Sequence, residues 1–126
     1  QLAPTQFEDE LTNQYREIIK NIPAEALLGK QLDEARFREA FDDIYRYLDL
    51  TNQQVFLRQE ERVSAEVWRL WRDGIKRMLS LPAFAKAWDE IKRDAPNIFK
   101  ELKELEDEEF LIDPHVKKQW QRYLGA

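Results

Sequence analysis

Apolar side chains recur along this chain at steps of three and four, the spacing that puts them on one face of an α-helix. Phe7, Leu11, Tyr15, Ile18 and Ile22 make the first stripe. Thr5 and Glu8 have the spacing of a capping box, so the first helix is predicted from Thr5. Pro23 and Gly29 break the pattern and leave Ala24 to Leu28 as a short turn of helix or an ordered loop. Asp33 can cap a second, longer helix reaching about Glu60, with Phe37, Phe41, Ile44, Tyr45, Leu48, Val55 and Phe56 on one side. A third helix is predicted after Ser64, carrying Trp68, Trp71, Ile75 and Met78. Pro82 suits the first turn of a fourth, where its missing amide hydrogen has no partner to lose, with Phe84, Trp88 and Ile91 as the stripe. Pro96 opens a fifth with Phe99, Leu102 and Leu105, and Asp113-Pro114 opens a short last helix with Val116, Trp120 and Tyr123.

Helices of this kind hide their stripes by packing on one another, so the expected fold is all-α: a bundle of five or six amphipathic helices in a single domain, residues 1–126. The run of carboxylates over 106–109 repels itself and buries nothing, which marks a candidate mobile joint. A chain that is 36% charged invites the suspicion of disorder, but 43% hydrophobic and 12% aromatic positions supply enough core to fold it. Having no cysteine, it can build neither disulfides, thiolate zinc sites nor a cysteine nucleophile, which fits a reducing cytoplasm. No apolar run approaches the roughly 20 residues that span a bilayer, and Gln1-Leu2-Ala3-Pro4 lacks a signal-peptide layout. The start without Met leads us to expect processing or a longer parent chain. The net charge of −5 is concentrated before Ser64, where 13 acidic residues face 8 basic ones. An acidic half argues against nucleic acid as a partner, because that affinity comes chiefly from basic side chains displacing counterions.

Few side chains invite chemistry. His115 is the sole histidine, which removes every metal motif that needs two, and its place beside Asp113-Pro114 suits a solvent-facing or capping role. Gly29, Gly74 and Gly125 are isolated, so no glycine-rich phosphate loop exists. Glu39 with Asp42, and Glu101 with Glu104, each set two carboxylates on one helical face; together they could hold Mg²⁺ for an all-α enzyme acting on nucleotide-type substrates, although such pairs arise readily by chance among 25 acidic residues. Asp49, Thr51, Asn52 and Gln53 interrupt the apolar side of the second helix. They are expected to form a register-fixing network, with Arg58 or Arg72 as partners, or to line a small-ligand pocket around Asn52. Trp68 and Trp71 are expected to plug the core beside Trp88, or else to form a partner groove, and Gly74 one turn on would let another backbone approach. Arg69, Arg72, Lys76 and Arg77 are interrupted by Asp73 and read as the polar face of the same helix, or a patch for an acidic protein or anionic headgroups.

Tyr45-Arg46-Tyr47-Leu48-Asp49-Leu50, Asn52, Phe56-Leu57, Trp68, Trp71, Gly74-Ile75, Pro82-Ala83-Phe84 and Trp88 resemble a family of uncharacterised bacterial proteins. In that family a short N-terminal hydrophobic helix precedes a helical cytoplasmic portion. The resemblance, over roughly Tyr15 to Ile91, implies a membrane anchor upstream and this domain on the cytoplasmic side, at the inner face of the membrane. It brings no activity, cofactor or catalytic residue. The expectation is therefore a non-catalytic interaction or regulatory module with a protein partner. Asp49, Asn52, Trp68, Trp71 and Arg72 are its candidate contacts, and an aromatic helix face offers a route to a homodimer.

Overall fold

Local capping chemistry starts most of the helices. In the computed structural model, which describes residues 6–125, the Asp33 carboxylate accepts from the Arg36 amide and begins the long helix α3 (Glu34–Gln59). The Ser64 hydroxyl accepts from the Val67 amide and begins α4 (Ala65–Leu79). Pro82 occupies the first turn of α5 (Pro82–Asp94). Ahead of them run α1 (Gln6–Ile19) and the single turn α2 (Ala24–Leu27); α6 (Lys100–Asp107) and α7 (Pro114–Gly125) complete the chain. No strand occurs among the described residues. The all-α bundle is therefore the fold, with seven helical segments among the described residues once the short α2 is counted. The Thr5 end of the expected capping box lies outside the described residues.

The central post is α3. Helices α1, α4, α5, α6 and α7 all pack against it, and α4 also packs against α5. Its buried residues Phe37, Ile44, Leu48 and Val55 meet Trp68, Phe84, Trp88 and Leu102 in the main core. Each of the aliphatic and phenyl groups contributes roughly 1.5–3 kcal/mol by leaving water. A smaller cluster of Leu11, Leu50, Leu57 and Val63 lies towards the end of α3, joined to the first through Tyr15, Ile18 and Trp71.

Several expected core positions lie elsewhere. Phe7, Tyr45 and Phe56 are exposed; the Arg62 guanidinium lies over the Phe7 ring, and Tyr45 leans on Phe99. The first helix stops at Ile19, so Ile22 is buried from the following turn rather than from α1. The fifth expected helix begins at Lys100 instead of Pro96, because Phe99 adopts a left-handed backbone (φ 53°) that interrupts helical geometry. Burial of its ring against Tyr45 and Trp88 holds Phe99 there. The Lys103 ammonium donates back to the Ala95 and Pro96 carbonyls, satisfying the free end of α5.

Candidate functional site

The last helix reverses the expected arrangement. Val116, Trp120 and Tyr123, read from the sequence as a core stripe, point outwards: Trp120 is 65% and Tyr123 87% exposed. Leu124 lies beside Trp120 and Tyr123, and Leu111 and Ile112, in the segment before α7, are exposed as well. The polar side of α7 faces the body, and its contacts explain the orientation. Arg58, in the last turn of α3 and only 6% exposed, donates to both Asp113 carboxylate oxygens at 2.9 Å and to the Val63 carbonyl at 2.9 Å. The same carboxylate accepts from the His115 amide and so caps α7. One buried guanidinium thus ties together the α3 end, the α3–α4 connection and the α7 start.

Three more side chains hold the inner face. Lys118 donates to Glu60, Lys117 donates to Glu108 and lies 3.5 Å from Glu104, and the His115 ring sits between Glu61 and the Gln59 carbonyl. Burial works to lower the Lys117 ammonium's pKa, but the Glu108 and Glu104 carboxylates outweigh it and raise it. Burial likewise works to raise the Asp113 carboxyl, and the Arg58 hydrogen bonds, the His115 amide and the Arg58 charge together hold it below the ordinary carboxylate value. The sequence signal for this anchor is the spacing of Lys117 and Lys118 on one side of α7, opposite the stripe. Its acidic partners belong to α3 and α6, out of reach of local reading.

The residues singled out from the sequence scatter. Asn52 bridges α3 to α6: its carbonyl oxygen accepts from the Leu102 amide at 2.9 Å and its amide donates to Glu101 at 3.0 Å. The α6 cap residue, Phe99, has no side chain able to do this, so Asn52 caps α6 from another helix. Neither expected arginine partner is involved: Arg58 is committed to Asp113, and Arg72 turns to its neighbour Asp73. Asp49 and Gln53 are exposed, while Thr51 is fully buried beside the Tyr47 phenol. Trp68 is core; Trp71 is half-buried and borders a cleft between α1 and α4. A Cβ on Gly74 would meet nothing within 4 Å, so this glycine abuts open space and not the close-packed backbone expected from the sequence.

The two acidic pairs do not converge. Asp42 lies ten positions before Asn52 on α3, about 15 Å along the axis, whereas Glu101 is bound to Asn52 and Glu104 lies by Lys117. Among the described residues no group of three acidic or histidine side chains is placed to hold a metal ion. No helix of the described residues is long and apolar enough to cross a membrane. Sequence reasoning missed the exposed Leu124 on α7 and Leu111 and Ile112 just before it, together with Tyr47 and Gln54 in the α1–α4 cleft. Comparison of the chain with family models, curated proteins and solved structures finds no match.

Proposed function

We propose that the protein is a non-catalytic helical interaction module whose partner is a second copy of the same chain, docked through the outer face of α7. The observation that carries this reading is the exposure of Val116, Trp120, Tyr123 and Leu124 on a helix fixed from behind by ion pairs, with Leu111 and Ile112 exposed in the segment just before it. Together these six residues expose on the order of 800 Å², about what each partner contributes to a standard protein interface. Two such faces related by a two-fold axis would cover each other's aromatic rings.

Charge supports a protein over a lipid surface. Lys117, Lys118 and His115 already face glutamates of their own chain, which leaves Arg122 as the α7 cation without an ion pair among the described residues. The face therefore offers little free positive charge to anionic headgroups, and two copies meet without strong repulsion. The cytoplasmic, membrane-tethered setting that the family resemblance implies belongs to the same proposal. Its test is the upstream reading frame, which should encode an apolar segment of about 20 residues.

Sedimentation velocity between roughly 1 and 100 µM should show a monomer–dimer equilibrium, the range in which an interface of modest affinity is read. Trp120→Glu combined with Tyr123→Glu should give a monomer with an unchanged far-UV spectrum, because neither ring contributes to the core. A wild-type chain that stays monomeric throughout overturns the proposal. If that monomer also binds anionic vesicles, the face is a membrane surface.

A further inference from the structure

Helices α1 and α4 both pack against α3 but scarcely against each other, and the gap between them is a cleft of about 190 Å³ floored by α3. Its walls are unlike the rest of the surface. Leu11, Trp71, Ile75 and Met78 supply apolar sides. Gln54, nine-tenths buried, lines the floor and brings a carboxamide that makes no hydrogen bond within the described residues, so it is open to whatever enters the cleft. The Tyr47 phenol lies on the same floor, and the Arg77 guanidinium stands close enough for its charge to act on that hydroxyl. Arg77 forms no ion pair among the described residues, unlike most arginines of this chain.

Gly74 opens this space. It sits in the middle of α4, where glycine costs about 1 kcal/mol relative to alanine, and a Cβ there would project into empty volume. Neither backbone conformation nor a close neighbour requires a glycine at this position.

We infer that the α1–α4 cleft is a binding site for a small aromatic carboxylate, its ring between Trp71, Ile75 and Met78 and its carboxylate at Arg77, with the Gln54 amide and the Tyr47 hydroxyl as donors. The volume sets the size: a cavity of about 150 Å³ holds benzene, so this cleft takes one ring and a short acidic arm. The unpaired cation sets the charge, since a guanidinium at the mouth of an apolar cleft favours an anion with an apolar body. The site lies away from α7 and does not depend on self-association.

Titration of the whole chain with phenylacetate, followed by amide NMR, should move the resonances of Tyr15, Gln54 and Gly74. The uncharged phenylacetamide should bind roughly tenfold more weakly, the usual loss when a charge-assisted hydrogen bond becomes a neutral one. Arg77→Gln should abolish that difference. Gly74→Leu should fill the cleft and eliminate binding while keeping or raising the melting temperature, so a loss of binding there is not a loss of fold. The inference is overturned if millimolar phenylacetate moves none of these resonances, if binding survives Gly74→Leu, or if acid and amide bind equally well.

Discussion

Asn52 and Arg58 lie six residues apart on α3, and each completes an element remote from it in the chain. Asn52 supplies the cap that α6 cannot make for itself, since the residue at its start is phenylalanine. Replacing it by leucine frees the Leu102 amide and one carboxylate contact of Glu101 in a half-buried place. The expected loss is about 1–2 kcal/mol, the range for removing a cap or a polar partner. Each kcal/mol corresponds to about 3–5 °C in a domain of this size, so thermal denaturation reads it directly. A leucine variant as stable as the wild type would show that the cap is dispensable. From the sequence Asn52 was visible as a polar interruption of an apolar face, but the arginine-partnered network expected of it is replaced by a cap on α6. The identity of its partner was not visible, because the pairing spans about fifty residues.

Whether an element was legible followed the same division. Helices α3, α4 and α5 start where local chemistry puts them, at Asp33, Ser64 and Pro82, and their stripes pack into the core or against it apart from Tyr45 and Phe56. By contrast, α6 begins late because ring burial keeps Phe99 in a left-handed conformation, and α7 turns its stripe outwards because Arg58, Glu60, Glu104 and Glu108 hold its other side. Periodicity finds a helical face without saying which of two faces is held. The candidate site was legible to the extent that Trp120 and Tyr123 share one face. The ligand cleft was not, since it is a gap between two helices that meet on a third. Asp113→Asn isolates the anchor, because asparagine can still accept from the His115 amide while the charge facing Arg58 is gone. Breaking a buried pair costs roughly 3–5 kcal/mol, and a side chain about one-quarter exposed, like Asp113, puts the loss towards the lower end. Hydrogen exchange should find the α7 amides deprotected first. Arg58→Met added to Asp113→Asn should recover part of the loss, because it removes the buried charge left without a partner. If α7 amides keep wild-type protection in the single variant, the inner-face lysines alone suffice to hold it.

At the scale of the whole molecule the carboxylates act together. Hydrogen bonding to Arg36 draws Glu25 down to about 2, and Glu34, Glu60, Glu90 and Asp94 are lowered by hydrogen bonds from Lys86 and Arg38, Lys118, Arg38 and Arg93 respectively. Asp113 joins them, with burial opposed and outweighed by Arg58. In every case the folded value lies below the unfolded one. The stabilisation is therefore fully present above the unfolded carboxylate range and is lost as pH falls through the folded values. Between pH 7 and 5 these groups are ionised in both states, and they add no slope to the stability. Below about pH 4 protons bind the unfolded chain first. The 25 acidic residues then lose their charge while 20 lysines and arginines keep theirs, so self-repulsion adds to the loss of pairing. Most of the pairs are exposed and each contributes little, whereas the Arg58–Asp113 pair is the one withdrawn from water. Salt distinguishes the two kinds. Near 1 M the screening length is about 3 Å, enough to mute the surface pairs while leaving a buried pair in direct contact largely intact. Acid titrations followed by circular dichroism at low and high salt should both lose helicity below about pH 4. In Asp113→Asn the residual acid sensitivity should shrink as salt is added, while the wild type retains its own. Equal salt dependence in the two chains would mean that the buried pair has no special share in holding the bundle together at low pH.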